Sequence, residues 1–435
     1  MPDQLIGVAA IAVLLVLIML RVPIALSMIL VSTTGITMIL GFGPAAGMLR
    51  SLPYEFAANW TLSSVPTFLV MGYLAHHAKL TQGLFRAAKL WLSALPGGLA
   101  IATVFGSAGF SALTGSSVAC AAAMGRIAVP EMVKSGYNVR LAVGTVAAAG
   151  TLGPLIPPSI LLILYGVFVQ QPIAKLFLVG LAVGLLTASG YVLTILAWSI
   201  WKPQAAPRQL ERPTLAERFG ALKDTFPALV MVAVVFGGMF GGVFTPSEAG
   251  AIGASLAAVI GLVRRSLTLK EARLALEEAL STTCVIFLIA IGASLLVRLL
   301  ALSATDKLIS DSVMALNPSR GEFFVIVTLL YMALGMFLEP LGIMLLTIPI
   351  LYPILVSLDI HLIWFGGILI KFLEIGMLTP PVGLNVFVIK NVVGSLCDTW
   401  TIFKGVAVFL LADFVVVVMT MAWPELTLYF TRLVD

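Results

Sequence analysis

Two apolar stretches of this sequence carry the same interruption, Gly153-Pro-Leu-Ile-Pro-Pro158 and Gly376-Met-Leu-Thr-Pro-Pro381, and two others break at a polar tip, Thr114-Gly-Ser-Ser117 and Glu339-Pro340. Each break ends one helix and starts another, so each exposes a half-helix N-terminus whose N–H groups lack partners and carry partial positive charge. Proline suits the first position of such a helix, because its missing N–H removes a donor that had no acceptor. Those N-termini can hold an anion without a buried arginine. The carbonyls freed at Gly153 and Gly376, with the hydroxyls of Thr114, Ser116, Ser117, Thr151 and Thr379, supply neutral oxygens of the kind that coordinate Na⁺. Gly115, Pro154, Pro157, Pro158, Pro380 and Asn385 frame the same four breaks. The chemistry on offer is reversible binding of an anion and a cation. Ser116, Ser117, Gly153, Gly376 and Thr379 are the expected Na⁺ contacts.

Other reactive residue types offer less. Cys120, Cys284 and Cys397 lie far apart in apolar runs, at no disulfide or metal spacing. They read as helix-packing thiols. His76, His77 and His361 sit near expected helix ends and do not form a metal set. No Ser–His or paired-Asp constellation falls at one depth, which leaves an intramembrane enzyme without support. Glu339 and Glu374 are carboxylates inside apolar segments and therefore functional candidates. Glu374 also follows Lys371 by three residues, so a structural ion pair on one helix is the other reading. Glu248, in Gly241-Gly-Val-Phe-Thr-Pro-Ser-Glu-Ala-Gly250, reads as a helix cap.

The elements that position these breaks must lie in lipid. Apolar residues make up 60% of the 435-residue chain and charged residues only 10%, against about 25% charged in a soluble domain. A spanning helix needs about 20 apolar residues, and such stretches fill most of the chain. The net charge of +5 marks orientation in a membrane protein and carries no nucleic-acid signal. The first apolar run follows Met1-Pro-Asp-Gln4, without a positive charge, and reads as a retained span.

Hydropathy and punctuation give ten passes: 5–20, 22–42, 61–79, 139–171 and 176–201, then 225–243, 246–263, 281–303, 361–393 and 399–422. Passes 139–171 and 361–393 are the broken ones. Segments 97–134 and 321–357 read as re-entrant hairpins, with pairs of tight ordinary spans as the alternative. Segments 43–60 and 264–280 read as amphipathic arms. With both termini in the periplasm, most of the 25 Lys and Arg residues, Arg208 and Arg212 among them, fall on the cytoplasmic side with Gln204, and Asn317 falls outside.

The Pro-rich, mixed-charge stretch 202–224 divides the chain into 1–201 and 225–435, each with an odd number of passes, so the second half must be inverted. A constant offset of 223 residues relates them: Pro23, Pro130, Pro157 and Pro158 map onto Pro246, Pro353, Pro380 and Pro381, and Gly153 maps onto Gly376. The expected fold is an all-α polytopic membrane protein. It has two inverted five-pass repeats, each with a re-entrant hairpin and a broken helix. Paired broken helices in inverted repeats point to a substrate and ion site near the midplane.

The strings Pro96-Gly-Gly-Leu99, Gly115-Ser-Ser-Val-Ala119, Val129-Pro-Glu-Met132, Gly153-Pro-Leu-Ile-Pro-Pro-Ser159, Gly242-Val-Phe-Thr-Pro-Ser-Glu-Ala249 and Glu374-Ile-Gly-Met-Leu-Thr-Pro-Pro-Val-Gly383 carry a further signal. With them the chain resembles, over essentially its whole length, the large membrane subunit of tripartite ATP-independent periplasmic (TRAP) transporters. That resemblance implies Na⁺-driven import of an organic acid, usually a carboxylate, across the bacterial inner membrane, with no cofactor. It implies two partners, a small four-helix membrane subunit and a periplasmic substrate-binding protein, and an elevator-type mobile domain carrying both hairpins and both broken helices. Carried onto this sequence, Gly115-Ser116-Ser117 with 153–158 forms one ion-binding pair, and the tip around Glu339 with 376–381 the other. The family pattern calls for an Asp and a small residue where Glu339-Pro340 stands. A stand-alone ion-coupled organic-anion carrier remains the competing reading.

Overall fold

The structure, a computed structural model, describes residues 3–207, 213–316 and 318–434. Arg208, Arg212 and Asn317 lie outside the described residues. The secondary structure of the described residues is helical, without a strand. In the first half the helices are α1 (Asp3–Met19), α2 (Ile24–Leu40), α3 (Phe42–Ala57), α4 (Ser64–His77), α5 (Gln82–Leu92), α6 (Gly98–Thr114), α7 (Ser117–Lys134), α8 (Val139–Gly150), α9 (Ile160–Val169) and α10 (Ile173–Trp201). In the second they are α11 (Leu215–Phe240), α12 (Pro246–Val263), α13 (Leu269–Leu302), α14 (Thr305–Ala315), α15 (Arg320–Gly335), α16 (Pro340–Ser357), α17 (Leu362–Gly376), α18 (Leu384–Val393), α19 (Thr399–Ala422) and α20 (Glu425–Leu428).

Among the described residues, six helices are long and apolar enough to cross a membrane: α10, α11, α12, α13, α16 and α19. Five of these fall on expected passes, and α16 is the second arm of the segment 321–357. The remaining passes are shorter or interrupted helices, so the chain is a multi-pass, all-α membrane protein.

Local chemistry explains where helices begin. Thr214, Thr245, Thr268 and Ser319 each accept from the backbone three residues on, while Glu217, Glu248, Glu271 and Glu322 reach back to the cap N–H. These capping boxes satisfy two orphan donors at once. Glu248 is thus a cap. The boxes also move two boundaries. Helix α11 starts at Leu215, inside the stretch read as a loop. Helix α13 starts at Leu269 and runs through to Leu302, so 264–280 is no separate arm. Nothing between Thr268 and Gly292 breaks it, since neither proline nor glycine occurs there. The short helices α5 and α14 escaped the hydropathy reading because each is only 11 residues.

The offset of 223 carries over to the elements. Adding 223 to the bounds of α7 gives 340 and 357, the bounds of α16, and adding it to 82 and 92 gives 305 and 315, the bounds of α14. Packing follows the same relation across the halves: α4 lies on α12 as α2 lies on α13, and α8 lies on α19 as α10 lies on α17. The core accordingly forms two clusters that mix both halves. One runs from Ala10 to Val417 and includes α16 and α17; the other surrounds α6–α8 and takes in Val386 and Phe409.

Candidate functional site

The helices α6 and α7 meet at Gly115 and Ser116. Gly115 turns the chain in the left-handed region (φ 63°), where a side chain is strained. Ser116 caps α7 by accepting from Ala119 N–H at 3.4 Å. The break in the first interrupted helix, 151–159, is wholly buried, and Ser159 caps its second half by accepting from Leu162 N–H at 3.3 Å. Tip and break touch backbone to backbone. A Cβ on Gly115 would lie 2.4 Å from the Pro158 carbonyl oxygen, and one on Gly153 would lie 2.6 Å from the Ser117 nitrogen. Gly115 and Gly153 are glycines because no side chain fits between the tip and the loop.

The second pair is built differently. Here α15 crosses the broken helix before its tip: a Cβ on Gly376 would lie 2.7 Å from Gly335 Cα. Glu339 is the N-cap residue of α16, yet its side chain makes no capping bond, and it is exposed. Pro380 and Pro381 are exposed as well. Thr379 donates to the Ile375 carbonyl at 2.7 Å. Asn385 is fully buried, and neither its amide oxygen nor its nitrogen has a hydrogen-bond partner.

A cavity of ≈ 420 Å³ opens where the two systems approach, within the range of about 300–1,000 Å³ that small-molecule sites occupy. Of the expected residues, Thr114, Gly115, Ser116, Ser117, Pro154 and Glu339 line it. Thr151, Gly153, Pro157, Pro158, Gly376, Thr379, Pro380 and Asn385 do not; they shape the loops behind it. Ser117 also ties the halves together, since its hydroxyl donates to Met377 Sδ at 3.4 Å.

Sequence reasoning missed the opposite wall. It comes from α4 and α13, where Tyr73 and Thr282 share a hydrogen bond of 2.9 Å and His77 meets Glu278 at 3.0 Å. Arg126 of α7 also lines the cavity. Nothing local in the sequence joins α4 to α13, whose facing residues are about two hundred positions apart. The available signal was the offset itself, since packing across the halves brings those helices together.

The Lys371–Glu374 ion pair does not form. Lys371 instead donates to Asp413 Oδ1 at 2.5 Å, and Tyr191 donates to the same oxygen at 2.7 Å. Thr151 Oγ1 lies 2.9 Å from the Tyr191 hydroxyl, so this buried network connects the first break to both α17 and α19. The alternative partner won because Asp413 reaches Lys371 across the α17–α19 packing, which i,i+3 spacing cannot register. Glu374 is left fully buried, lining the cavity, with neither carboxylate oxygen hydrogen-bonded. A buried polar group without a partner costs free energy that structure alone does not return, so Glu374 stays among the functional candidates while its ion-pair reading falls. Among the described residues no group of three or more His, Cys, Asp or Glu forms a metal cluster. The site offers helix N-termini, hydroxyls, carbonyls and two free carboxylates around a small-molecule cavity.

Residues 11–426 match the family described as the tripartite ATP-independent periplasmic transporter, DctM component. The chain belongs to this family. It is 35% identical over 365 residues to the C4-dicarboxylate TRAP transporter large permease protein of Pseudomonas aeruginosa, covering 83% of this chain and 84% of that one. It is 32% identical to the sialic acid TRAP transporter large permease of Vibrio cholerae, over 86% of this chain and 87% of that one. With the isethionate TRAP transporter permease of Oleidesulfovibrio alaskensis it shares 31% identity, over 83% of this chain but 59% of the longer relative. Its fold is similar to that of the YdaH transporter of Alcanivorax borkumensis, at a TM-score of 0.58 and 16% identity, covering 88% and 89% of the two chains. The DctM-family chain is therefore a transporter permease and not an enzyme.

Proposed function

We propose that this chain imports an organic acid, a carboxylate delivered by a periplasmic binding protein, in symport with Na⁺ across the bacterial inner membrane. The observation that carries the reading is the convergence of the first hairpin tip, the first helix break and the second break's Met377 on one small-molecule cavity. The N-terminus of α7 faces that cavity and favours a carboxylate. Ser116, Ser117 and the Gly153 carbonyl on one side, and Gly376 and Thr379 on the other, are the assigned Na⁺ contacts. The division is into repeats 1–201 and 225–435 about the stretch 202–224, whose last part opens α11, with the repeats inverted in the membrane and both termini periplasmic.

Movement is of the elevator type. The hairpins α6–α7 and α15–α16 and the broken helices travel as one body past the wall made by α4 and α13. Such a body needs a scaffold to move against, and a small four-helix membrane subunit widens it. The extra length of the isethionate relative is consistent with a partner segment joined to the permease. The test is reconstitution into liposomes with and without the small subunit and the binding protein, followed by uptake of a panel of organic acids under an inward Na⁺ gradient. Uptake only with all three components supports the reading. Robust uptake by this chain alone identifies a stand-alone carrier instead.

A further inference from the structure

The interior holds two charges that neither the cavity nor the helix breaks use. Lys371 of α17 and Asp413 of α19 are each 1% exposed, and Lys371 donates to Asp413 Oδ1 at 2.5 Å. Tyr191 of α10 donates to the same oxygen at 2.7 Å, and the Lys371 ammonium lies 5.6 Å from the centre of the Tyr191 ring. Asp413 Oδ2 has no partner among the described residues. A buried ion pair is weak evidence for stability, because desolvating two charges costs about as much as their attraction returns. An unpaired carboxylate oxygen adds to that cost. Packing alone does not account for the pair, and charges at membrane depth are functional candidates.

The offset of 223 residues shows what the pair changes. It sets Lys371 and Glu374 opposite Ala148 and Thr151, the corresponding positions at the end of α8. The first half is neutral there: Thr151 donates to the Ala148 carbonyl at 2.6 Å and lies 2.9 Å from the Tyr191 hydroxyl. The second half has a cation one helical turn from a carboxylate, and such i,i+3 neighbours pair readily. They do not pair here. Glu374 is fully buried, lines the cavity and has no hydrogen-bond partner among the described residues. Ser117, which stands beside it, gives its proton to Met377 Sδ at 3.4 Å. Lys371 and Asp413 both lie within electrostatic reach of Glu374. Of two carboxylates near Lys371, Asp413 takes the ammonium, and Glu374 keeps an open face toward the cavity.

We propose that Asp413 is a positioning residue for cation binding: it holds Lys371 away from Glu374 and so keeps that carboxylate free to face a cation in the cavity. The proposal rests on the Na⁺ reading given above. It separates two variants that break the same ion pair. Asp413→Asn releases Lys371 to its helical neighbour, where the ammonium occupies Glu374 in place of a cation. Lys371→Gln breaks the pair equally but leaves Glu374 free. A clasp that merely held α17 to α19 would suffer alike in both.

The experiment is thermal unfolding of the purified chain in lipid nanodiscs at increasing NaCl, with choline chloride holding ionic strength constant. A ligand of the folded state raises the unfolding temperature with its concentration, so the Na⁺ concentration at which the rise sets in follows the affinity. Asp413→Asn moves that onset to about 10- to 100-fold more Na⁺, the scale of an interaction with a charged group. Lys371→Gln stays at the wild-type onset or below it, and the double variant Lys371→Gln/Asp413→Asn returns close to wild type. Three results overturn the positioning role while leaving the Na⁺ reading intact: a wild-type onset in folded Asp413→Asn, an equal loss in Lys371→Gln, or no recovery in the double variant. Should Asp413→Asn not fold, Lys371→Gln decides alone, and a raised onset there overturns the role. If wild type itself shows no rise with Na⁺ beyond that in choline, the positioning role falls together with the reading beneath it.

Discussion

The two hairpins occupy equivalent places in the chain yet are held in opposite ways. In the first half the tip itself is locked: Gly115 abuts Pro158, Gly153 abuts Ser117, and every residue from 151 to 159 is buried. In the second half the contact retreats to the hairpin arm, Gly335 against Gly376, and leaves Glu339, Pro380 and Pro381 exposed. A repeat therefore conserves where the breaks fall without conserving how tightly each is packed. The closed pair brings two backbones together with every loop residue buried. The open pair has a carboxylate at its tip and room to move.

Substitution of the two loop glycines is the most forceful way to break this contrast. Gly153→Ala forces a methyl group against the Ser117 backbone, and overpacking of this kind costs about 1–3 kcal/mol or more. Thermal unfolding of the purified variant should shift down and transport should fall to background. Gly376→Ala meets Gly335 at a similar distance, so it should lose comparable stability. Its residual transport should need more Na⁺ for half-maximal uptake than wild type, because Gly376 is one of the proposed Na⁺ contacts. An unaltered Na⁺ dependence in a folded Gly376→Ala would remove Gly376 from those contacts.

Ser117→Val sharpens the contrast at one atom. It removes the hydroxyl that reaches Met377 while nearly keeping the volume. Loss of one polar contact costs about 1–3 kcal/mol, so the Na⁺ concentration for half-maximal uptake should rise by about 5- to 150-fold. Glu339→Gln at the open tip should do less. A solvent-exposed charge contributes about 0–1 kcal/mol, which limits the shift to about 5-fold. Reversal of that order would move the principal ion site to the second tip.

The breaks were legible because proline and glycine act locally. Gly115, Gly153 and Gly376 sit where two backbones meet, and the spacing of their neighbours marks those places in the sequence. Capping was legible for the same reason at Glu248, and overlooked at Glu217, where polar composition suggested a loop, and at Glu271, where the segment read as an amphipathic arm. The wall formed by Tyr73, His77, Glu278 and Thr282, and the Lys371–Asp413 pair, depend on contacts between distant segments. For Lys371, helical spacing offered Glu374 as a nearer partner, and that local cue pointed the wrong way. Glu374 is a candidate from the sequence as an intramembrane carboxylate, and its lack of a hydrogen-bond partner in the structure takes away the competing ion-pair reading.

The smallest effect belongs to the water-exposed caps at the chain's linker face. Hydrogen bonds from the backbone N–H of Thr214 and Thr268 hold the Glu217 and Glu271 carboxyls below the usual carboxylate range. A carboxyl with a depressed folded pKa contributes stability above its unfolded pKa and loses it as pH falls through the folded value. Glu271→Gln should therefore lower thermal stability slightly at neutral pH, and the difference from wild type should shrink on the acid side of the carboxylate range. A difference that stays constant with pH would show that the charge of the carboxylate contributes nothing at this cap.

The central claim is that movement of the organic acid is driven by Na⁺ bound at the breaks around this cavity. The most direct measurement is uptake of a radiolabelled organic acid into proteoliposomes holding the permease and small subunit, with the binding protein outside. The inward Na⁺ gradient is either present or replaced by choline at equal ionic strength. The account predicts concentrative uptake that disappears when Na⁺ is replaced and returns when Na⁺ is restored. Concentrative uptake that continues unchanged in choline would contradict it.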